Sequence, residues 1–389
     1  MGSLFTKEIV VLDITSKEVT AIVGVKKAQS VFDVKAVVKE EHSGYEDGVW
    51  LDAENTLLTA AHAVLEAKRR ANSRTKKVFI GVPAEFTSVE TKEVSITFDR
   101  KRCVVDDDIA FLFEKGNDFN SSEYAVINTS AIYYSIDGGR NLWGDVRNME
   151  AKHIDAGVSY MLAERGFVSA FDRQMKSAGF TDVRYIATNW AEGITLLDSQ
   201  QREGIYMLID VGYSSTSVSI AKGEGVLKLR SFTLGGAHIA ADICEAFGVS
   251  LESAFEAKKL VDVNRGYKEE DMLVYDGGTG VSGIAVSEIV KFRWDMLVYA
   301  ISLILEENAD DVPSYMPIYL TGEGFSDMRG VKQYLGGHLN RPIEILTPKL
   351  AGFARAEDSS KAALLLVADT LIDDGVGARI KKLLLWRRT

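Results

Sequence analysis

Residues 205–236 read IYMLIDVGYSSTSVSIAKGEGVLKLRSFTLGG, and this stretch is the most informative part of the sequence. Its first part, Ile205–Ile209, is an apolar run typical of a strand that is buried on both faces. The strand pattern resumes at Val218–Ala221, after small hydroxyl residues that favour extended backbone. The stretch therefore predicts a β-hairpin whose turn carries the pattern Asp-x-Gly-x-x-x-Thr, from Asp210 to Thr216.

The residue types in this turn suit phosphate and metal chemistry. Asp210 stands at a strand end, where a carboxylate can hold a metal-bound water. A glycine lets the backbone approach a phosphate, and small hydroxyl residues supply donors for its oxygens. The predicted phosphate contacts of this turn are Gly212, Ser214, Ser215 and Thr216. An ordinary hairpin with an Asx turn explains the same residues when the stretch is considered alone.

The N-terminal residues repeat this design. Ile9–Gly24 contains an apolar strand, then Asp13, then the hydroxyl residues Thr15 and Ser16, and finally a second apolar strand. Two such hairpins, far apart in one chain, indicate a duplicated fold whose halves grip one nucleotide from both sides.

A third element has the character of a nucleoside loop. Ile318–Phe325 is predicted to be a strand with a glycine-containing turn, and Met328–Leu339 the helix that follows it. A nucleoside can rest against the start of such a helix. The glycine pair Gly235 and Gly236 opens another predicted helix, Gly236–Phe247, and offers a similar cradle.

Three further helices are expected from their apolar spacing. Asn55–Asn72 and Ser359–Ile372 are predicted to pack on a core. Ser287–Ala309 is predicted to be a long amphipathic helix, with Phe292 among its inward-facing residues.

Taken together, these elements resemble the actin-like ATPase superfamily and, within it, the FtsA family of bacterial cell-division proteins. The similarity runs from about Glu8 to the C-terminus and includes the Leu-Gly-Gly-Ala-His stretch that begins at Leu234. It implies an α/β, actin-like (ribonuclease-H-like) two-lobed ATPase fold with an inserted α+β subdomain of the FtsA 1C type. The implied subdomains are 1A (1–76, 159–199 and 351–375), 1C (77–158), 2A (200–236 and 290–350), 2B (237–289) and a basic tail (376–389).

The resemblance also implies ATP and Mg²⁺ as ligands. Asp13 and Asp210 would hold the water shell of the metal ion. The other nucleotide contacts that the family pattern implies are Thr15, Ser16, Lys17, Gly212, Ser214, Ser215, Thr216, Gly235, Gly236, Lys258, Gly322, Glu323 and Gly324. An exposed lysine on a solvated helix face is the alternative for Lys258.

Several residues depart from the family pattern. Thr15 stands in the first loop where the family has glycine, Tyr213 takes a glycine position in the second loop, and Glu323 interrupts the glycines of the nucleoside loop. A Cβ at such positions narrows the backbone options and moves the chain away from a phosphate. Phe255 stands where the family usually has an acid beside the adenosine. We therefore expect nucleotide binding and at most a weak ATPase.

The C-terminal residues are basic and apolar in a chain that is acidic overall. Residues 379–389 read RIKKLLLWRRT. On a helix, an anionic membrane could bury the apolar face while the basic residues meet lipid phosphates. The predicted membrane contacts are Arg379, Ile380, Lys381, Lys382, Leu383, Leu384, Trp386, Arg387 and Arg388. A tail packed on its own domain, or a basic tail without a partner, is the alternative.

The resemblance implies several macromolecular partners. It implies self-association into filaments, capture of the C-terminal peptide of FtsZ through 237–289, and contacts with later division proteins through 77–158. It also implies a peripheral position at the division site, on the cytoplasmic side of the cell membrane. A plain α+β insertion is the alternative for 77–158, and Gly277, Gly278 and Gly280 are better explained as a hairpin turn than as a phosphate loop.

Composition limits the classes of function. The 389 residues carry a net charge of −11, which argues against general nucleic-acid binding because a phosphate backbone needs a basic face. Cys103 and Cys244 are far apart and are expected to be reduced, buried thiols. The rival functions are an actin-fold scaffold such as the pilus-assembly protein PilM, a sugar or acetate-type kinase, and a divergent paralogue with little nucleotide chemistry.

Overall fold

Two five-stranded sheets with the same strand connections form the frame of the molecule. The computed structural model describes residues 8–28, 31–46, 48–119, 121–275, 279–326 and 328–372. In chain order the strands are β1 Glu8–Ile14, β2 Glu18–Ala28, β3 Val31–Glu41, β4 Tyr45–Glu46, β5 Val49–Trp50, β6 Lys77–Val82, β7 Thr87–Cys103, β8 Tyr124–Ile136, β9 Asn141–Leu142, β10 Glu150–Glu164, β11 Asp182–Ala187, β12 Tyr206–Val211, β13 Thr216–Lys222, β14 Gly225–Phe232, β15 Met272–Tyr275, β16 Thr279–Ser282, β17 Ile318–Thr321 and β18 Ile343–Ile345. The helices are α1 Ala53–Ala71, α2 Asp106–Lys115, α3 Arg165–Ser177, α4 Thr188–Leu196, α5 Ser199–Glu203, α6 Gly236–Phe247, α7 Leu251–Leu260, α8 Gly283–Glu307, α9 Val331–Leu339 and α10 Ser359–Ile372.

The two large sheets repeat one topology. The first has the strand order β3-β2-β1-β6-β11, and the second has the order β14-β13-β12-β17-β18. In each sheet the central strand pairs antiparallel with the strand that follows it and in parallel with the strand on its other side. The duplicated fold expected from the two hairpins is therefore confirmed.

The duplication gives the two acids equivalent positions. Asp13 pairs with Thr20 across the first hairpin, and Asp210 pairs with Ser217 across the second. Each acid is the next-to-last residue of its central strand, β1 or β12. Both therefore stand at the carboxyl end of a strand, which is where open α/β sheets bind their ligands.

Each large sheet has its own apolar core. The first core contains buried residues of β1, β2, β6 and β11 together with α1, α3 and α10. Helix α10 is buried on most sides, because small and branched residues such as Ala362, Leu364 and Leu365 have no exposed surface. The second core joins β12, β13 and β17 to α6, α7, α8 and α9.

Two side chains that were expected to be buried are exposed. Phe292 is 63% exposed, because the inward face of α8 carries Val290, Leu297 and Ile301 and Phe292 projects from the opposite side. Cys103 is exposed at the end of β7, while Cys244 is partly buried, and both are free thiols. The prediction of inward packing is wrong for Phe292, and the prediction of burial is wrong for Cys103.

A separate antiparallel sheet with the strand order β7-β10-β8-β9 lies between β6 and α3 in sequence. It has its own apolar cluster, to which α2 contributes Ile109, Leu112 and Phe113. Its strands span 87–164, whereas Lys77–Val82 pairs within the first large sheet. These limits differ from the predicted 77–158, and the division into subdomains stays a prediction.

Asn128 connects this inserted sheet to the first large sheet. It lies on β8 and has no exposed surface. Its Nδ2 donates to the carbonyl of Tyr185 at 3.3 Å, and its Oδ1 accepts from the amide of Ala187 at 2.7 Å. Both partners belong to the end of β11, so one buried amide side chain joins the two sheets.

The C-terminal tail lies outside the described residues, which end at Ile372. The membrane contacts predicted for 379–389 therefore stay predictions. In the part of the chain that the structure describes, no helix is both long and apolar enough to cross a lipid bilayer.

Replacing Phe167 by alanine tests the packing of the first lobe. Phe167 is fully buried, with ring centroids 4.9 Å from Phe86 and 4.6 Å from Phe171. We expect the variant to lose about 3–5 kcal/mol of the free energy of unfolding, because a large cavity opens in an aromatic cluster. Urea unfolding followed by circular dichroism measures it.

The matched control for that experiment is Phe111→Ala, because Phe111 lies on α2 and is 61% exposed. This control should stay within about 0.5 kcal/mol of the wild type. Equal losses in the two variants would contradict the described packing.

Candidate functional site

The loops of the two hairpins touch each other. The Ser214 hydroxyl donates to the Ser16 hydroxyl at 2.6 Å, across the boundary between the two halves. Asp13 and Asp210 line one small chamber, to which Ser16 also contributes. The chamber measures about 70 Å³, which is room for a few water molecules but not for a triphosphate.

Acidic side chains dominate the walls of this inner chamber. Its acidic residues are Asp13, Glu85, Glu192, Asp210, Glu323 and Glu357. Lys361 is the basic residue among the described lining residues. Like charges brought together away from water repel each other, so protons, the lysine or a bound cation must offset them.

The two carboxylate oxygens of Asp13 differ in their partners. Its Oδ2 accepts a hydrogen bond from the Ser360 hydroxyl at 2.8 Å and lies 3.8 Å from the Lys361 ammonium. Its Oδ1 is buried without a hydrogen-bond partner among the described residues. Burial raises the pKa of Asp13, and Lys361 and Ser360 only partly counter this shift.

The pKa values of three other acids of the chamber, Glu192, Asp210 and Glu323, are also shifted towards the protonated form. Burial, reinforced by Glu323 and Glu85, raises the pKa of Asp210 to about 7. Burial and the neighbouring Asp210 raise the pKa of Glu192 well above its ordinary value. Burial alone would lower the pKa of Lys361, but the surrounding acids, led by Asp13, outweigh it and raise that pKa.

A much larger cleft adjoins the chamber and opens to solvent. It measures about 770 Å³, a size typical of small-molecule sites. The cleft and the chamber adjoin each other, because Ser16, Tyr213 and Glu323 line both spaces. A ligand with a bulky end and a charged end could place the bulky end in the cleft and the charged end at the chamber.

Lys258 is a buried residue of the outer cleft. Its side chain is 2% exposed, and its ammonium donates to the carbonyls of Gly324 at 2.9 Å and Gly236 at 3.4 Å. Burial lowers the pKa of Lys258 to about 8. The alternative of a solvated surface lysine is therefore wrong, and Lys258 joins the glycine pair to the nucleoside loop.

Two aromatic residues meet in the wall of the cleft. The rings of Tyr213 and Phe255 are stacked, with centroids 5.9 Å apart and an angle of 24° between their planes. The Lys17 ammonium lies 5.7 Å from the centre of the Tyr213 ring, and the Lys258 ammonium lies 5.0 Å from that of Phe255. The two rings thus form a flat surface with cations beside it.

The structure brings most of the predicted nucleotide contacts together. Those that line the inner chamber are Asp13, Thr15, Ser16, Asp210, Gly212, Ser215, Gly322 and Glu323. Those that line the outer cleft are Ser16, Lys17, Ser214, Gly236, Lys258, Glu323 and Gly324. Thr216 and Gly235 line neither space. The Thr216 hydroxyl donates to the Leu234 carbonyl inside the sheet, and Gly235 caps α6, so these two residues shape the backbone around the site.

Comparison with known proteins finds one family. Residues 207–365 match the family model described as cell division protein FtsA. The resemblance to FtsA is confirmed. Curated relatives named cell division protein FtsA include that of Pseudomonas aeruginosa, 23% identical over 88% of this chain and 83% of the relative, and that of Bacillus subtilis, 20% identical over 85% and 73%.

Solved structures show that the chain has the actin-like ATPase fold. The PilM-PilN type IV pilus biogenesis complex contains a chain that is 15% identical, with a TM-score of 0.61, over 93% of this chain and 99% of that one. MreB5 of Spiroplasma citri bound to ADP is 12% identical, with a TM-score of 0.57, over 95% and 99%. At these identities the likeness concerns the fold alone.

Sequence reasoning from the FtsA pattern missed several residues of the chamber, among them Glu85, Glu192, Ser360 and Lys361. Glu192 lies on α4, directly after the strand β11 that runs parallel to β6. Ser360 and Lys361 open α10 and reach Asp13 from a distant part of the chain. One signal was present, because a lysine at the start of a helix predicted to be buried needs an acidic partner.

The donor set fits a hydrated magnesium ion. Asp13 Oδ1 and Glu192 Oε2 are buried and lack hydrogen-bond partners among the described residues. Within those residues no three metal-binding side chains are arranged to hold an ion directly. Magnesium commonly keeps several of its waters and uses one or two carboxylates. This suits a chamber that is lined by Asp13 and Asp210 and has room for a few water molecules.

Stability should fall as pH rises through the neutral range when no divalent cation is present. A carboxyl whose pKa is raised in the folded state favours folding at low pH, and this advantage is lost above the folded pKa. With the pKa of Asp210 at about 7, we expect the Asp210 carboxyl alone to lower the free energy of unfolding by about 2–3 kcal/mol between about pH 5 and about pH 8.

The variant Asp210→Asn removes this contribution, so its stability relative to the wild type should increase with pH. Urea unfolding at a series of pH values, in the presence of a chelator, measures the difference. Asp310→Asn is the matched control, because Asp310 is an exposed aspartate after α8. Parallel pH profiles for the wild type and Asp210→Asn would contradict the raised pKa.

Proposed function

We propose that this FtsA-like cell-division protein binds ATP with Mg²⁺ between its two halves. The observation that carries the proposal is the placement of two equivalent strand-end acids, Asp13 and Asp210, on one chamber beside a cleft of nucleotide size. Proteins of the same fold support it, since MreB5 of Spiroplasma citri has been solved bound to ADP and to AMPPNP.

The division of the site into two spaces suggests how the nucleotide lies. The phosphates would occupy the junction, where Ser16 and Ser214 meet and where Gly212 and Gly322 keep the backbone close. The nucleoside would occupy the outer cleft, beside Lys258. Asp13 and Asp210 would hold the water shell of Mg²⁺, which would supply positive charge for the phosphates.

The close approach of the loops depends on glycine at one position in particular. Gly322 has a φ of +108°, and a Cβ there would come within 2.3 Å of Asp210 Oδ1 and of the Val211 carbonyl. Only a residue without a side chain therefore lets the nucleoside loop lie against β12. This contact argues that the third loop is part of the same site as the two acids.

We also propose that the protein tethers FtsZ to the inner face of the cell membrane and self-associates into filaments. The basic, apolar tail supplies the membrane anchor, 237–289 the surface for the FtsZ peptide, and 77–158 the contacts with later division proteins. One side of α8 is an apolar surface available for a protein partner. Its exposed side chains are Phe292, Met296, Tyr299 and Leu303.

A scaffold role in pilus assembly is the second candidate, because the PilM-PilN complex contains a chain of the same fold over almost its full length. The match of 207–365 to the FtsA model favours cell division. Binding to FtsZ is the property that separates the two.

The variant Glu323→Gln tests the nucleotide part. Glu323 lines both the chamber and the cleft, and its carboxylate should repel the phosphates of ATP. We expect ATP to bind about tenfold more tightly to this variant at a pH where Glu323 is ionised. Isothermal titration calorimetry measures the affinity, and Glu288→Gln, at an exposed position on α8, is the matched control.

A wild type without measurable affinity for ATP would remove nucleotide binding from the proposal. An unchanged affinity in Glu323→Gln would show instead that the phosphates lie elsewhere than at the junction.

Vesicle flotation tests the tether. With vesicles containing anionic lipid, we expect the full chain to float and to carry labelled FtsZ with it. Deletion of 379–389 should leave both proteins at the bottom of the gradient, because each basic residue near an anionic surface contributes about 1 kcal/mol. Vesicles of neutral lipid are the control. Flotation of the deleted chain would contradict the anchor, and flotation of the full chain without FtsZ would favour the pilus-type alternative.

A further inference from the structure

Lys361, the third residue of α10, is a buried cation that lines the inner chamber. Its side chain is 4% exposed. Its ammonium lies 3.8 Å from Asp13 Oδ2 and donates to the Glu357 carbonyl at 3.1 Å. A lysine so deeply buried is stable only with charged or polar partners, and here the partner is the acid expected to hold the metal ion.

Lys361 has donor capacity left for a ligand. An ammonium group has three N–H donors, and the contacts with Asp13 and the Glu357 carbonyl use at most two of them. Lys361 lines the inner chamber, and the carbonyl that it contacts belongs to Glu357, which lines both the chamber and the outer cleft. The start of α10 adds the positive end of a helix dipole at the same place.

Because acidic side chains surround the chamber, an anionic ligand needs a nearby cation to offset their repulsion. Glu192, Asp210 and Glu323 face the same space and would repel a phosphate group. In a site that depends on Mg²⁺ alone, the metal ion must offset this repulsion. In this chain a covalently attached positive charge is already in place beside Asp13.

We propose that Lys361 is a resident counter-cation for the terminal phosphate of the bound nucleotide, so that binding depends only weakly on Mg²⁺. The inference rests on the proposed nucleotide site and names a phosphate-binding residue within it. Lys361 would contact the phosphate at the junction, and Mg²⁺ would add to its charge rather than replace it.

The experiment measures the affinity for ATP by calorimetry with Mg²⁺ and with a chelator, for the wild type and for Lys361→Met. We expect the wild type to lose about threefold in affinity when Mg²⁺ is removed, and the variant to lose about thirtyfold or more. A loss above about tenfold in the wild type, or equal losses in the two proteins, would overturn the proposal.

Lys361→Arg and Lys35→Met are the matched controls. The arginine variant keeps the charge and should keep the weak dependence on Mg²⁺, whereas a purely structural lysine would give thermal destabilisation in Lys361→Met without a changed dependence. Lys35 is an exposed lysine on β3, and its loss should leave both affinities unchanged.

A measurement on the wild type alone covers the case in which Lys361→Met fails to fold. In the presence of chelator, ATP should bind about tenfold more tightly than adenosine, because Lys361 then supplies the charge for the phosphates. Equal affinities for ATP and adenosine under chelator would overturn the role of Lys361 and leave nucleotide binding intact. Absence of ATP binding in every condition would instead defeat the proposed function and this inference with it.

Discussion

Repulsion among buried carboxylates is the constraint on which the site depends. Asp13, Glu192, Asp210 and Glu323 face one chamber that has room for only a few water molecules. At neutral pH such a group of acids cannot all be ionised unless something positive lies among them. Part of the answer is protonation, which the raised pKa values express, and part is the ion pair between Asp13 and Lys361. Any ligand that enters with negative charge has to be received by the same limited supply of positive charge.

The gathering of the acids follows from the duplication of the fold. Two sheets of identical connection order carry an acid at the same position of the same strand, and the two loops then touch through Ser16 and Ser214. The duplication thus brings the two acids together, and each half then adds different residues to the site. The first half supplies Glu85, Ser360 and Lys361, while the second supplies the nucleoside loop and Lys258. The second half also supplies the stacked rings of Tyr213 and Phe255, which form a flat wall of the cleft.

Local features of the structure could be predicted from the sequence, and long-range ones could not. The central hairpin and its acid, the helix Gly236–Phe247 and the helix Ser359–Ile372 follow from runs of apolar residues and from glycine positions, which act over a few residues. The burial of Lys258 depends on carbonyls of two other segments, which no spacing along its own helix reveals. Lys361 reaches Asp13 from the opposite end of the described chain, and only the folded structure shows this ion pair. Phe292 was misplaced because the long helix α8 carries apolar residues on two faces, and periodicity alone does not say which one is covered.

The buried amide of Asn128 connects the inserted sheet to the strand before a helix that lines the chamber. It holds β8 to the last residues of β11 through two hydrogen bonds, and β11 leads directly into the helix that carries Glu192. Breaking either bond would leave a buried polar group without a partner, so the inserted sheet and the strand before that helix are held together. The placement of the inserted sheet and the position of one acid of the chamber are therefore coupled through this buried contact.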